Sequence, residues 1–156
     1  MKNLSSHLLR TLDKVHKPKD VYAHCDIPCG IYNPVSAQIA AQTVEKMVLK
    51  LEELKIPDDL KNQQAVLAYL NSVSRMVAVK EKHAQLCKKE LLILWTDYFK
   101  PEHLTMFPNL HETFWKAAKL CSKNKQEVNL DAAKELRKAV DEIAHMFEKT
   151  ESLKSK

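Results

Sequence analysis

A single glycine in 156 residues, Gly30, leaves this chain almost nowhere to place the tight, positive-φ turns that connect strands cheaply. That scarcity argues against an all-β architecture, which is rich in glycine turns, and the abundance of Ala, Leu, Lys and Glu points to helices instead. The length suits one domain, large enough to bury a core without disulfide staples. The expected fold is therefore all-α.

The periodicity gives four helices. Asn33 and Pro34 are good N-cap and N1 residues, and Ile39, Ala40, Thr43, Val44, Met47, Val48, Leu51 and Leu54 then recur at three- and four-residue spacing until Pro57. A longer stripe runs from Val66 through Met76, Cys87 and Leu94 to Tyr98 and ends at Lys100-Pro101, because proline cannot continue a helix. Pro108 opens a third helix carrying Leu110, Phe114, Ala117, Ala118 and Cys121. Asn129 caps a fourth carrying Leu130, Ala133, Leu136, Val140, Ile143 and Phe147. Four amphipathic helices make a bundle, with Trp95 and Trp115 expected as core aromatics and the Lys/Ser-ending tail expected to fray.

The net charge of +5 is unevenly placed. Residues 1–23 hold Lys2, Arg10, Lys14, Lys17 and Lys19 against Asp13 and Asp20 and so carry +3 of it. The remainder is nearly balanced, which speaks against a nucleic-acid partner. No stretch is long and apolar enough to span a membrane. Residues 1–23 lack the apolar centre of a secretory signal. Leu8, Leu9, Leu12 and Val15 form at most a short amphipathic stripe, and the segment reads as a leader or docking arm. Four cysteines, two of them within helical stripes, do not suggest a secreted disulfide framework, so the expected location is cytoplasmic.

Chemistry is concentrated in the run His24-Cys25-Asp26-Ile27-Pro28-Cys29-Gly30-Ile31-Tyr32. Two thiols separated by three residues, a proline among those and a histidine before the first can bring two sulfurs and an imidazole onto one metal ion. The same loop is open to a structural zinc half-site or a reversible disulfide. Cys87 and Cys121 lie on apolar faces and read as small buried hydrophobes. His83, His103, His111 and His145 read as surface or hydrogen-bonded histidines.

The run resembles the metal-binding hook of nickel superoxide dismutases, His-Cys-x-x-Pro-Cys-Gly-x-Tyr, at every fixed position. A second block, Trp95-Thr96-Asp97-Tyr98-Phe99-Lys100-Pro101, resembles the other distinctive segment of that family, and the four-helix reading agrees with its fold. The resemblance implies a nickel ion held by the Cys25 and Cys29 thiolates, the Cys25 backbone nitrogen and the α-amino group of His24. It also places the His24 imidazole axially in the oxidised state. The implied activity is disproportionation of superoxide to dioxygen and hydrogen peroxide through a Ni(III)/Ni(II) cycle. Tyr32 and Tyr98 would stand near the open face of the metal and order water or a bound anion.

Further expectations come from the same resemblance. In this family the active protein begins at the hook histidine, so residues 1–23 are expected to be a pro-segment removed by a processing peptidase, leaving 24–156 as one domain. An α-amino group, with a pKa of about 8, has a lone pair to give a metal, whereas a peptide nitrogen between Ala23 and His24 does not. The family assembles as a homohexamer. One position departs from it: the glutamate that several members use to hold the axial imidazole falls here on Ala40, so Gln38, Gln42 or His83 would have to replace it. Two other classes use the same thiols, a non-enzymatic metal carrier and a thiol switch, and neither needs a free His24 amine.

Overall fold

In the computed structural model the described residues are 30–154. The leader and the ligand candidates His24, Cys25 and Cys29 lie outside them. The first helix, α1 (Val35–Glu53), begins where the Asn33 carboxamide oxygen accepts the Val35 N–H at 2.8 Å and the Pro34 carbonyl takes the Gln38 N–H at 3.0 Å. This is the capping that the Asn-Pro pair predicts. Its inward face is Ala37, Ala40, Ala41, Val44 and Val48, and three alanines in that stripe let neighbouring helices approach closely.

Asp59 turns the chain by accepting the Lys61 N–H at 2.9 Å, and Asn62 caps the next helix through the Ala65 N–H at 3.2 Å. That helix, α2, spans Gln63–Ile93. Its buried residues are Lys80, Ala84, Cys87 and Leu91, so its first half contributes none. It then widens into one π turn over Leu94–Tyr98, closed by the Phe99 N–H on the Leu94 carbonyl at 3.0 Å. Phe99 and Lys100 are extended, as a residue before proline should be. A 3₁₀ turn, Pro101–Thr105, leads to α3 (Leu110–Gln126). Helix α4 (Leu130–Lys154) starts on Asn129, whose side chain accepts the Ala132 N–H at 3.0 Å.

Cross-links give the topology. Gln38 bonds Asp141 at 3.0 Å and Arg137 bonds Glu45 at 3.1 Å, so α1 and α4 run antiparallel. Lys88 to Ser122, Lys125 to Gln85 and Trp95 to His111 show the same for α2 and α3. The core between the helices is built from Leu91, Leu94, Leu110, Phe114, Leu136, Val140 and Ile143, all at most 2 % exposed. Each such side chain stabilises the fold by about 1.5–3 kcal/mol relative to exposure.

Two expectations are corrected. Trp115 is 55 % exposed, with the Lys119 ammonium over its ring at 5.8 Å: Phe114, about 100° of helix earlier, takes the core-facing position and the next residue falls on the solvent side. Ile39 also points outward, at 57 % exposed. Helix α4 continues past Phe147 to Lys154, with Thr150 buried, and the end of the Lys/Ser-ending tail, expected to fray, lies outside the described residues.

Lys80 is the least foreseen core residue. Its side chain is buried, and its ammonium donates to the carbonyl oxygens of Asn124, Lys125 (3.2 Å) and Glu127 (2.9 Å). These are oxygens that the end of α3 leaves without intrahelical donors. Burial pulls the Lys80 pKa below its ordinary value.

Candidate functional site

Two of the expected site residues are described, and the fold brings them together. Tyr32, in the segment before α1, meets Tyr98, at the end of the π turn, edge to face with ring centroids 5.6 Å apart. Tyr98 is 5 % exposed. Its ring packs on Phe147 at 4.5 Å and Phe99 at 4.9 Å and stacks on His103 at 5.9 Å. The wide last turn of α2 and the extended Phe99 allow Tyr98 and Phe99, consecutive in sequence, both to be buried. Each inward aromatic pair adds about 0.5–1.5 kcal/mol beyond its buried area.

A buried phenol needs hydrogen-bond partners, and here the last turn of α4 supplies them. The Tyr98 hydroxyl donates to a Glu151 carboxylate oxygen at 2.7 Å and contacts the Thr150 hydroxyl. Thr150 in turn donates to the Phe147 carbonyl at 2.7 Å. His103 is fixed as well, because its Nδ1 accepts the Lys100 N–H at 3.1 Å. Sequence reasoning missed Thr150, Glu151 and His103. Only the position of Thr150, seven residues after Ile143 on the core stripe, carried a signal.

Gly30, the residue after the second hook thiol, has φ +72°, and among the described residues nothing lies within 4 Å of where a Cβ would sit. The requirement for glycine there is backbone conformation alone. Ala40 is fully buried in the core and offers no acceptor. Of its proposed substitutes, Gln38 bonds Asp141, and the His83 ring nitrogen Nδ1 lies 2.8 Å from the Val79 carbonyl. Among the described residues no three His, Cys, Asp or Glu side chains are grouped to hold a metal. A groove of about 250 Å³ between α1 and α2, lined by Met47, Arg75 and Met76 among others, sits roughly 30 Å from Tyr98 along α2 and plays no part in this site.

Cys87 and Cys121 are free and buried, as expected of small core hydrophobes. Hydrogen bonding to Cys121 and burial push the Cys87 thiol far above its ordinary pKa. Cys87 is thus kept as an inert thiol.

Comparison with known proteins gives one answer. Residues 19–151 match the profile of the nickel-containing superoxide dismutase family. A superoxide dismutase [Ni] of Streptomyces seoulensis is 36 % identical over 136 residues, 86 % of this chain and 92 % of that protein. A second, from Streptomyces coelicolor, is 37 % identical over 102 residues, 65 % of this chain and 68 % of that protein. The native crystal structure of a nickel superoxide dismutase superposes with a TM-score of 0.68 at 30 % identity, covering 82 % of this chain and 99 % of its own.

Proposed function

This chain belongs to the nickel-containing superoxide dismutase family, and from that premise we propose how its own residues carry the activity. It is a nickel-dependent superoxide dismutase, converting two superoxide ions and two protons to dioxygen and hydrogen peroxide. The observation that carries this is the run from His24 to Tyr32, which lies inside the matched residues 19–151. The carrier and thiol-switch readings gain no support from the fold or the relatives.

The donor set suits nickel. Two thiolates and amine or amide nitrogen are the electron-rich ligands that a nickel redox couple requires, and His24, Cys25 and Cys29 would provide them. When bound, nickel supplies the one-electron couple that superoxide needs. The protein's part is to shape the hook, to admit a small anion and to deliver protons. Gly30, in its left-handed conformation, lets the chain leave the second thiol at an angle that a side chain would oppose. Tyr32 follows Cys29 by three positions in sequence, and the Tyr98 ring lies against it. Their phenols are the groups we assign to ordering water and the incoming anion.

Residues 1–23 are in this reading a pro-segment, since only cleavage before His24 frees an amine for the metal. The solved relative is covered almost whole by 82 % of this chain, which supports a shorter working form. A homohexamer and a cytoplasmic location complete the proposal. No helix among the described residues is long and apolar enough to cross a membrane.

N-terminal sequencing and metal analysis of the protein purified from its own source test the processing. The expected result is a chain starting at His24 with stoichiometric nickel. An active, nickel-loaded protein that retains residues 1–23 would overturn it.

A further inference from the structure

Aromatic side chains touch in an unbroken row that leads from the candidate site to the surface. Tyr32 meets Tyr98 at 5.6 Å between ring centroids, Tyr98 meets Phe99 at 4.9 Å, and Phe99 meets Phe114 at 5.4 Å. Phe114 then stacks on Trp95 at 5.8 Å, with the planes 7° apart. Each spacing is that of rings in contact. Tyr98, Phe99 and Phe114 are buried, Trp95 is half-buried, and the row ends on exposed His111.

The ends of the row differ from its middle in chemistry. Tyrosine and tryptophan can each lose one electron if the phenol or indole proton finds an acceptor as the electron goes, whereas phenylalanine has no such proton. Both ends have the acceptor. The Tyr98 hydroxyl donates to a Glu151 carboxylate oxygen at 2.7 Å, and the Trp95 indole N–H donates to His111 Nδ1 at 2.8 Å. A ring nitrogen that accepts this bond carries no hydrogen, so His111 presents a base to the indole proton.

The other tryptophan is arranged the opposite way. Trp115 is the more exposed of the two, but the Lys119 ammonium lies over its ring at 5.8 Å. A positive charge in that place makes loss of an electron harder.

We propose that the row is an escape path for oxidising equivalents, carrying a missing electron from Tyr98 in the interior to Trp95 at the surface, where superoxide repairs it. The proposal rests on the dismutase reading above, in which peroxide forms beside Tyr98. A one-electron oxidant derived from that peroxide takes an electron from the Tyr98 phenol, and the phenol proton passes to Glu151. Trp95 then gives an electron to the Tyr98 radical through Phe114 and Phe99. Glu151 returns the proton to the phenol oxygen, and the indole proton goes to His111. Superoxide gives its electron to the Trp95 radical and leaves as dioxygen, while the indole nitrogen takes its proton back from His111. The net change is one electron moved from superoxide to the oxidant, with the protein as it began. Exchange along the row is reversible, and repair at the exposed end makes it run one way.

The test has two arms. In the metal-free full chain carrying Trp115→Phe, azide radicals made by pulse radiolysis oxidise Trp95, and because exchange is reversible the same path is read from its other end. The Trp95 radical should decay in a first-order step, independent of protein concentration, that matches the growth of a tyrosyl radical. Tyr98→Phe should remove most of that growth, and His111→Gln, at an exposed position, should slow it several-fold. Superoxide made in the same pulse should shorten the lifetime of both radicals. In the processed, nickel-loaded protein under excess hydrogen peroxide, Trp95→Phe should start at the wild-type dismutase rate and lose it several-fold faster, with oxygen added to Tyr98 in peptide mass spectra. Trp115→Phe should match the wild type.

Tyrosyl growth that is absent, that scales with protein concentration or that persists unchanged in Tyr98→Phe overturns the proposal, as do radicals that superoxide leaves untouched. Equal inactivation of Trp95→Phe and the wild type overturns it too. A processed wild type that binds nickel without dismutase activity overturns the functional reading instead, while radiolysis of the metal-free chain still decides whether Trp95 and Tyr98 exchange an electron.

Discussion

At the scale of single residues, burial sets what each group can do, and Cys87 shows it with a sign that can be worked out. Its thiol is held protonated in the folded chain by Cys121 and by burial, whereas in the unfolded chain it ionises near its ordinary pKa of about 8.5. Above that pH the native state binds the extra proton, so the stability this thiol contributes is complete below pH 8.5 and is lost as pH rises. The expected slope is about 1.4 kcal/mol per pH unit for this one group. Urea unfolding of the wild type and of Cys87→Ala between pH 8.5 and 10 should show that slope in the wild type and a shallower one in the variant. Parallel curves would mean that the thiol is not protected. The same reasoning separates legible residues from illegible ones. Cys87 and Cys121 were readable because an apolar stripe predicts a buried, unreactive thiol. Trp115 was not, because aromatic size suggests burial while its place next to Phe114 decides against it.

At the scale of elements, the helix starts were written in the sequence and the ties between helices were not. Asn33 and Asn129 announce caps through side-chain chemistry that acts within three residues, and Pro101 announces a stop in the same local way. Lys80 gave no such notice. A lysine within a helical stripe reads as surface, and only the placement of the α3 terminus turns it into a buried cap. Its three carbonyl contacts fasten the middle of α2 to the end of α3. Lys80→Met keeps the apolar stem and removes the charge, leaving those oxygens without the donor. The expected loss is about 2–4 kcal/mol, in the range for breaking a buried charge-assisted network. Thermal unfolding followed by circular dichroism measures it, and a variant as stable as the wild type would show that water replaces the ammonium at no cost. The π turn and the 3₁₀ turn were equally unreadable, since neither has a period of its own and both follow from how Tyr98 and Phe99 pack.

At the scale of the whole molecule, the ligand run was the most legible part of the site and its surroundings the least. Residues such as Cys25 and Cys29 carry their chemistry in their type and spacing, whereas Thr150 and Glu151 acquire theirs from a partner more than fifty positions away. Their place on the final turn of α4 bears on how this protein ages. The large apolar core side chains of α4 among the described residues all lie at or before Phe147, so a chain cut after Thr150 keeps every one of them. Trimming back to Thr150 should leave the melting temperature within a few degrees of the intact chain, since surface changes are usually within about 0.5 kcal/mol. It removes the carboxylate that accepts the Tyr98 hydroxyl, and dismutase activity in the nickel-loaded form should fall with it. Melting temperature and activity of the chain cut after Thr150, measured beside the intact one, would record the two effects separately. A population of such molecules would pass as helical and metallated by every bulk criterion while working at a fraction of its rate, so an intact Glu151 is the quantity by which a preparation of this protein should be graded.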